Sequence, residues 1–368
     1  MVIITQDQIK QFQNLMEASD QSLKIAFENF HQGYPAETMI RFLKARDGNI
    51  SKAHNMLVDC LIWRTENEIL KILSVSYVHR VYFFVTLFTW LTFCLCLQKP
   101  IVPSEFYRSV RDSQLIGMSG YTKDGRPVIA VGVGLSTYDK ASIHYYVQSH
   151  IQINEFRDRV ILPSATKKFE RHISTCVKVL DMTGLKLSHL NQIKARSFIA
   201  SIDDLNYPEK TDTYYIVNAP YVFSACWKVV KPLLQERTRK KIQVLSGCGK
   251  DDLLKIMDYE SLPHFCRRQG SGSSRYSRNS SGDDCFSLDH EFHQQLYNYI
   301  NQQAAGIKPR APIKQASFHV DFPEPNLTGC KIVQTIKTEV HKLENQNGFT
   351  DEQIDLKTNA NDQKETNA

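Results

Sequence analysis

Gly117-Met118-Ser119-Gly120 sets a serine among glycines, but not at the G-x-S-x-G spacing of a hydrolase nucleophile elbow. His264-Phe265-Cys266 has arginines nearby, as a cysteine phosphatase loop does. Yet no histidine directly precedes the thiol, and the sixth residue after it is Gly272. His290 and His293 stand at i, i+3 and would suit a metal pair, but no carboxylate and histidine partner accompanies them. Ser246-Gly247-Cys248-Gly249-Lys250 lacks the glycine spacing of a P-loop, and Gly132 and Gly134 do not continue into G-x-G-x-x-G. The expectation is a protein without catalytic residues, metal ligands or cofactor.

The stretch Tyr207–Leu234, YPEKTDTYYIVNAPYVFSACWKVVKPLL, is richer. An acidic turn, Tyr207-Pro208-Glu209, leads into a β-type run, Tyr214-Tyr215-Ile216-Val217, which Asn218-Ala219-Pro220 breaks. Phe223, Trp227 and Val230 then recur at helical spacing and form one strongly apolar face. Pro232 steers Lys231 away from helical geometry, so the helix is expected to end or kink there. By spacing alone this is a core helix.

Composition narrows the class. The chain has 368 residues, 42% of them hydrophobic, enough for a good core and one or two domains. Its net charge of +6 suits an anionic membrane surface and is too weak to argue for nucleic acid. The start, MVIITQDQIKQFQ, has no basic region before an apolar run, so no secretory signal is expected. The nine cysteines include no C-x-x-C pair and read as reduced thiols of a cytoplasmic protein, peripheral at membranes.

Four motifs carry a family resemblance. The order YPE, strand, NAP, aromatic-studded helix and KPLL resembles the lipid-binding lobe of the CRAL-TRIO proteins. It is closest to the SEC-fourteen-like, phosphatidylinositol-transfer branch and its plant members. RFLKAR followed by a helix ending in WR is similar to that family's small helical N-terminal domain, while KDGRPV and LDMTG are similar to the lobe's entry strand and to its central strand and turn. The resemblance covers about residues 35–68 and 100–267.

The resemblance implies a carrier of phosphatidylinositol or a related phospholipid between membranes, a monomer working without covalent chemistry. Glu209 and Lys231 match the positions that bind the lipid headgroup, and Arg46 completes the set. The next position, a second base in the yeast-type proteins, is Asp47 here. Phe223, Trp227 and Val230 lie on the helix that gates the pocket. Lys228, Lys231, Arg237, Arg239, Lys240 and Lys241 would favour anionic lipids at the membrane surface. Where the yeast-type proteins hold phosphatidylcholine, this chain has Met118, Ile129, Cys176 and Lys178, leaving the second ligand open. The closing motif runs Leu262-Pro263-His264-Phe265-Cys266-Arg267 instead of ending in paired glycines. Two rivals stand: a carrier of a tocopherol- or retinoid-like molecule, and a membrane-anchored adaptor.

The expected architecture is α/β: a small helical N-terminal bundle, then a lobe with a mostly parallel mixed sheet flanked by helices and a gate helix over a lipid pocket. Helices are expected over 6–65, with Ser51 as an N-cap, over Tyr138 to about Leu162, over the crossover before Tyr207, and over Leu288–Gln303. Strands are expected at PVIAVGVG, at Cys176–Leu180, at Tyr214–Val217 and at Ile242–Leu245. The divisions are 1–70 for the N-terminal domain, 71–99 for an apolar insertion and 100–268 for the lobe. A Ser/Gly-rich loop at 269–285, a helix at 286–304 and a mostly disordered tail at 305–368 follow, with a short helix at Ile332–Leu343. The uncharged run Val81–Leu97 has about the minimum length of a bilayer span. A span there would part the N-terminal helices from the lobe, so residues 75–98 read better as a retained intron than as a membrane segment.

Overall fold

The computed structural model describes residues 3–71, 105–185, 193–220, 223, 227–228, 231–233, 236–267, 283–305, 334–335, 338 and 342. The apolar run 75–98, Val230 and most of the 269–285 loop and the tail lie outside the described residues. In the expected tail helix, Gln334, Thr335, Thr338 and Lys342 are helical. Among the described residues no helix is long and apolar enough to cross a membrane.

Four helices form the N-terminal bundle: α1 (Gln6–Glu17), α2 (Gln21–His31), α3 (Pro35–Ala45) and α4 (Ile50–Glu66). Their starts are chemically marked. Thr5 and Gln8 cap α1 reciprocally, and the Asp20 carboxylate caps α2 by accepting from the Leu23 amide. α4 is capped by Asn49, not by the expected Ser51, which lies inside the first turn. Phe12, Phe42, Leu43, Leu57 and Leu61 close the bundle's interior, each fully buried.

The lobe begins with α5 (Glu105–Ser113) and holds one five-stranded sheet in the order β1-β2-β3-β4-β5. The strands are β1 (Ile116–Tyr121), β2 (Pro127–Gly132), β3 (Cys176–Asp181), β4 (Thr211–Val217) and β5 (Ile242–Val244). β1 runs antiparallel to β2 and all other pairs are parallel. β1, with two glycines and a serine in IGMSGY, has little strand propensity of its own and is a strand because it pairs with β2. The helix expected from Tyr138 starts at Ile143 as α6 (Ile143–Phe156). It passes through a π-turn (Arg157–Ile161) and continues as α7 (Leu162–Lys168). The crossover helix is α8 (Ile193–Asn206); then come α9 (Glu236–Lys241), α10 (Lys250–Leu254) and α11 (Glu291–Ala305). Cys285, at the end of the expected loop, is packed at 1% exposure.

The sheet has a core on each side. Val128, Ala130, Val177, Val179 and Val217 pack with Leu253, Leu262 and Phe286 on one face. On the other, Ile116, Ile129 and Cys176 pack under α6, α8 and α11 through Ile151, Ile202 and Leu296.

Candidate functional site

The turn Asn206–Glu209 is where the bundle meets the lobe. The Cys60 thiol of α4 points to the Asn206 carbonyl at 3.7 Å, and an Arg41 guanidinium N–H of α3 reaches the Pro208 carbonyl at 3.5 Å. Tyr207, 4% exposed, donates its hydroxyl to Glu155 Oε1 at 2.7 Å. The other oxygen of Glu155 accepts from Arg64 at 2.8 Å and from Arg159 at 2.6 Å. Burial alone would raise the Glu155 pKa, but the two guanidiniums outweigh it and hold the carboxyl below its ordinary value. The apolar–aromatic Tyr-Pro pair thus fits between two domains and fixes where Glu209 stands.

Glu209 itself sits at φ +60°, a left-handed position that its neighbours hold in place. Its carboxylate is 13% exposed and accepts from Arg237 Nε at 3.1 Å and Lys241 Nζ at 2.7 Å, both on α9. Arg237 also donates to the Lys44 carbonyl of α3 at 2.5 Å. Arg46, at the end of α3, is half-buried; burial and the neighbouring Arg237 lower its pKa, opposed by Asp204. Arg237 thus pairs with Glu209 and lies near enough to Arg46 for their like charges to repel, so two of the three expected headgroup residues stand close to it. Lys231 lies in an exposed 3-10 turn (Lys231–Leu233) and has no hydrogen bond or ion pair with the described residues. Sequence reading placed Arg237 and Lys241 on a membrane-facing basic run. Both pair with Glu209, because α9 folds back against β4.

The NAP turn is equally specific. Asn218, at φ +52°, donates its amide side chain to Asp181 Oδ1 at 2.8 Å, and Asp181 also accepts from the Thr183 hydroxyl at 2.6 Å. The LDMTG and NAP turns are thereby tied together at the carboxyl ends of β3 and β4. From this anchor Phe223 and Trp227 follow, both half-buried, with rings stacked at 5.8 Å and 16°.

Each face of the sheet carries buried residues together with partly buried ones, Tyr215 and Leu245 among the latter on the first face. The valines and alanine facing the first core are at most 2% exposed. On the opposite face Met118, Val131, Lys178, Leu180 and Tyr214, on four successive strands, are all only partly buried. One charged residue breaks that face. Lys178 donates to Asp203 Oδ2 of α8 at 3.1 Å, and Asp203 Oδ1 meets His150 Nε2 and Asn154 Nδ2, each at 2.7 Å. Burial opposes the charge on Asp203, but His150 and Lys178 hold its pKa well below the ordinary range. The sequence carried a signal for this cluster: a lone lysine inside the apolar strand CVKVLD.

Beside it, burial would raise the Asp158 pKa, but Arg157 and Lys210 hold it low. Carboxylates with depressed folded-state values contribute stability above their unfolded values and lose it as pH falls through the folded ones. Stability should therefore hold from neutrality to about pH 5 and then fall progressively below about pH 4 as Glu155, Asp158 and Asp203 take up protons. Denaturant midpoints measured at stepwise pH check this; a midpoint flat down to pH 3 would contradict the paired assignments.

A helical bundle set against a mixed sheet with helices on both faces defines a two-part α/β protein. The chain belongs to the CRAL-TRIO family: the CRAL/TRIO domain matches residues 111–266 and the CRAL/TRIO N-terminal domain residues 8–59, together more than half of the chain. Among its relatives is Phosphatidylinositol/phosphatidylcholine transfer protein SFH9 of Arabidopsis thaliana, 27% identical over 69% of this chain and 41% of that protein. SFH12 of the same organism, with the same descriptive name, is 29% identical over 62% of this chain and 38% of its own length. The SEC14 cytosolic factor of Eremothecium gossypii is 28% identical over 61% of this chain and 67% of its own. The matched part thus spans about two-fifths of the length of the Arabidopsis proteins. The crystal structure of Sfh5 is similar at a TM-score of 0.49 and 18% identity, covering 80% of this chain and 98% of that one.

Proposed function

We propose that this protein binds phosphatidylinositol, or a related phospholipid, against one face of its sheet and carries it between membranes. The observation that carries the reading is the row of partly buried side chains Met118, Val131, Leu180 and Tyr214 on the sheet face that lies beneath helices. Moving a diacyl lipid through water exposes about thirty methylenes at roughly 0.8 kcal/mol each, on the order of 20 kcal/mol. A carrier must cover that surface and uncover it only at a bilayer. In this reading Phe223 and Trp227, with Val230, belong to a helix that shuts over the acyl chains and opens at an anionic membrane surface.

The headgroup sits at the rim, where Arg46 and Lys231 pair with phosphate and Glu209 accepts inositol hydroxyls. The ion pairs of Glu209 with Arg237 and Lys241 hold its carboxylate in place at that rim. The family relation and the relatives' names support a phospholipid over a tocopherol- or retinoid-like ligand.

Mass spectrometry of lipid co-purified with wild type, Glu209→Ala and Lys231→Ala tests the assignment. Each variant should lose inositol lipid, by about tenfold relative to wild type, while keeping its fold. Unchanged inositol-lipid content in both would remove the two residues from the site, and wild type free of any phospholipid would end the carrier reading.

A further inference from the structure

We infer that the seam between the bundle and the lobe binds one small inorganic oxyanion, of the phosphate class, on Arg41, Arg157 and Lys210. The inference stands apart from the lipid reading. Arg41 comes from α3, Arg157 from the π-turn that follows α6, and Lys210 from the turn leading into β4. They are 7%, 3% and 13% exposed. Asp158 and the Pro208 carbonyl draw them together. Arg157 Nε donates to Asp158 Oδ1 at 2.7 Å, Lys210 Nζ lies 3.5 Å from Oδ2, and Arg41 Nη1 lies 3.5 Å from the Pro208 oxygen.

A buried cation left without a countercharge is strongly destabilising. Here three cations share one carboxylate. Both oxygens of Asp158 are taken, and Arg41 has no ion pair with the described residues. Its contacts are Thr38 Oγ1 at 3.1 Å and the long one to Pro208. The other carboxylates of the seam have partners of their own: Glu37 has His172, Glu155 has Arg64 and Arg159, and Asp203 has Lys178 and His150. The Phe30 and Tyr207 rings lie 6.0 Å and 5.7 Å from the guanidinium carbons of Arg41 and Arg157, which eases burial without adding negative charge. Two buried N–H groups of the cluster, Arg41 Nε and Arg157 Nη2, have no acceptor. Burial and the adjacent Arg41 push the Lys210 ammonium down to about 8, so the same crowding of positive charge is felt by the third group. A tetrahedral oxyanion supplies the missing charge and presents several oxygens to donors from three segments at once. At that depth the seam suits a free ion, not the head of a lipid.

The test is calorimetric titration of the full chain with inorganic phosphate, with urea unfolding in phosphate and in chloride of equal ionic strength. Wild type should bind one phosphate. Phosphate at ten times its dissociation constant should shrink the unfolding constant about tenfold, and chloride should not. Arg41→Met and Lys210→Met should each weaken phosphate binding at least about tenfold. Vesicles containing phosphatidylinositol should leave the wild-type phosphate affinity unchanged. Absence of binding would overturn the inference, leaving water to serve those donors. So would equal stabilisation by chloride, or folded variants with wild-type affinity, which would mean an adventitious ion only. Loss of phosphate binding on adding the vesicles would move the phosphate to the headgroup rim and overturn it as well. Should Arg41→Met not fold, Lys210→Met and the wild-type titration decide.

Discussion

Replacing Glu155 by alanine is expected to lower the free energy of unfolding by about 3–5 kcal/mol, the cost of leaving a buried guanidinium without its partner. Arg64, 8% exposed, would face the vacated space with no carboxylate, and Tyr207 would lose the acceptor of its hydroxyl. The effect should exceed that of a surface pair such as Lys240–Glu236, where both groups are mostly exposed and the gain from pairing is small. Because Arg64 belongs to the bundle and Glu155 to the lobe, the loss should show as loosening between the two parts. Equilibrium denaturation gives the size, and hydrogen exchange at α4 gives the place. Glu155→Gln, which still accepts from Tyr207, should cost less. A loss below about 1 kcal/mol for alanine would mean that this network does not hold the bundle to the lobe.

The second large effect is expected at Gly117, which lies in β1 opposite Ala130. A methyl group there would overlap the carbonyl of Cys285, a backbone atom that no rotamer change can move aside. Gly117→Ala should therefore cost about 3 kcal/mol, at the upper end for overpacking. It should also lift the segment from Asp284 to Phe286 off the sheet. Phe286 would then leave its stack on Phe265, now 5.7 Å centre to centre, and protease sensitivity before α11 should rise. A variant as stable and resistant as wild type would show that the 283–305 segment yields easily.

Much of this architecture is legible in the chain itself because it rests on local rules. The run CVKVL is apolar and β-branched and reads as a strand from its own residues, as does Tyr214–Val217. The resemblance in YPE, NAP and KPLL is likewise borne by short contiguous motifs, and the family it points to is the family found. β1 escaped notice because its glycine-rich sequence becomes a strand only when β2 offers it hydrogen bonds. Asn49 in place of Ser51 is a smaller miss, one of register among several capping residues in a row.

The identity of the polar partners was beyond local reading. Nothing in the sequence near Glu209 says that Arg237 and Lys241 will take its two oxygens, or that Arg237 will also reach Lys44, since those contacts span loops of up to 193 residues. Lys178, Asp203 and His150 are separated by 25 and 53 residues and meet because a parallel crossover lays α8 over β3 beside α6. Composition, capping and strand pattern are set by neighbours along the chain, so they follow from the order of residues. Which charge faces which is set by a long-range balance of burial against pairing, and only the folded arrangement of helices on the sheet decides it.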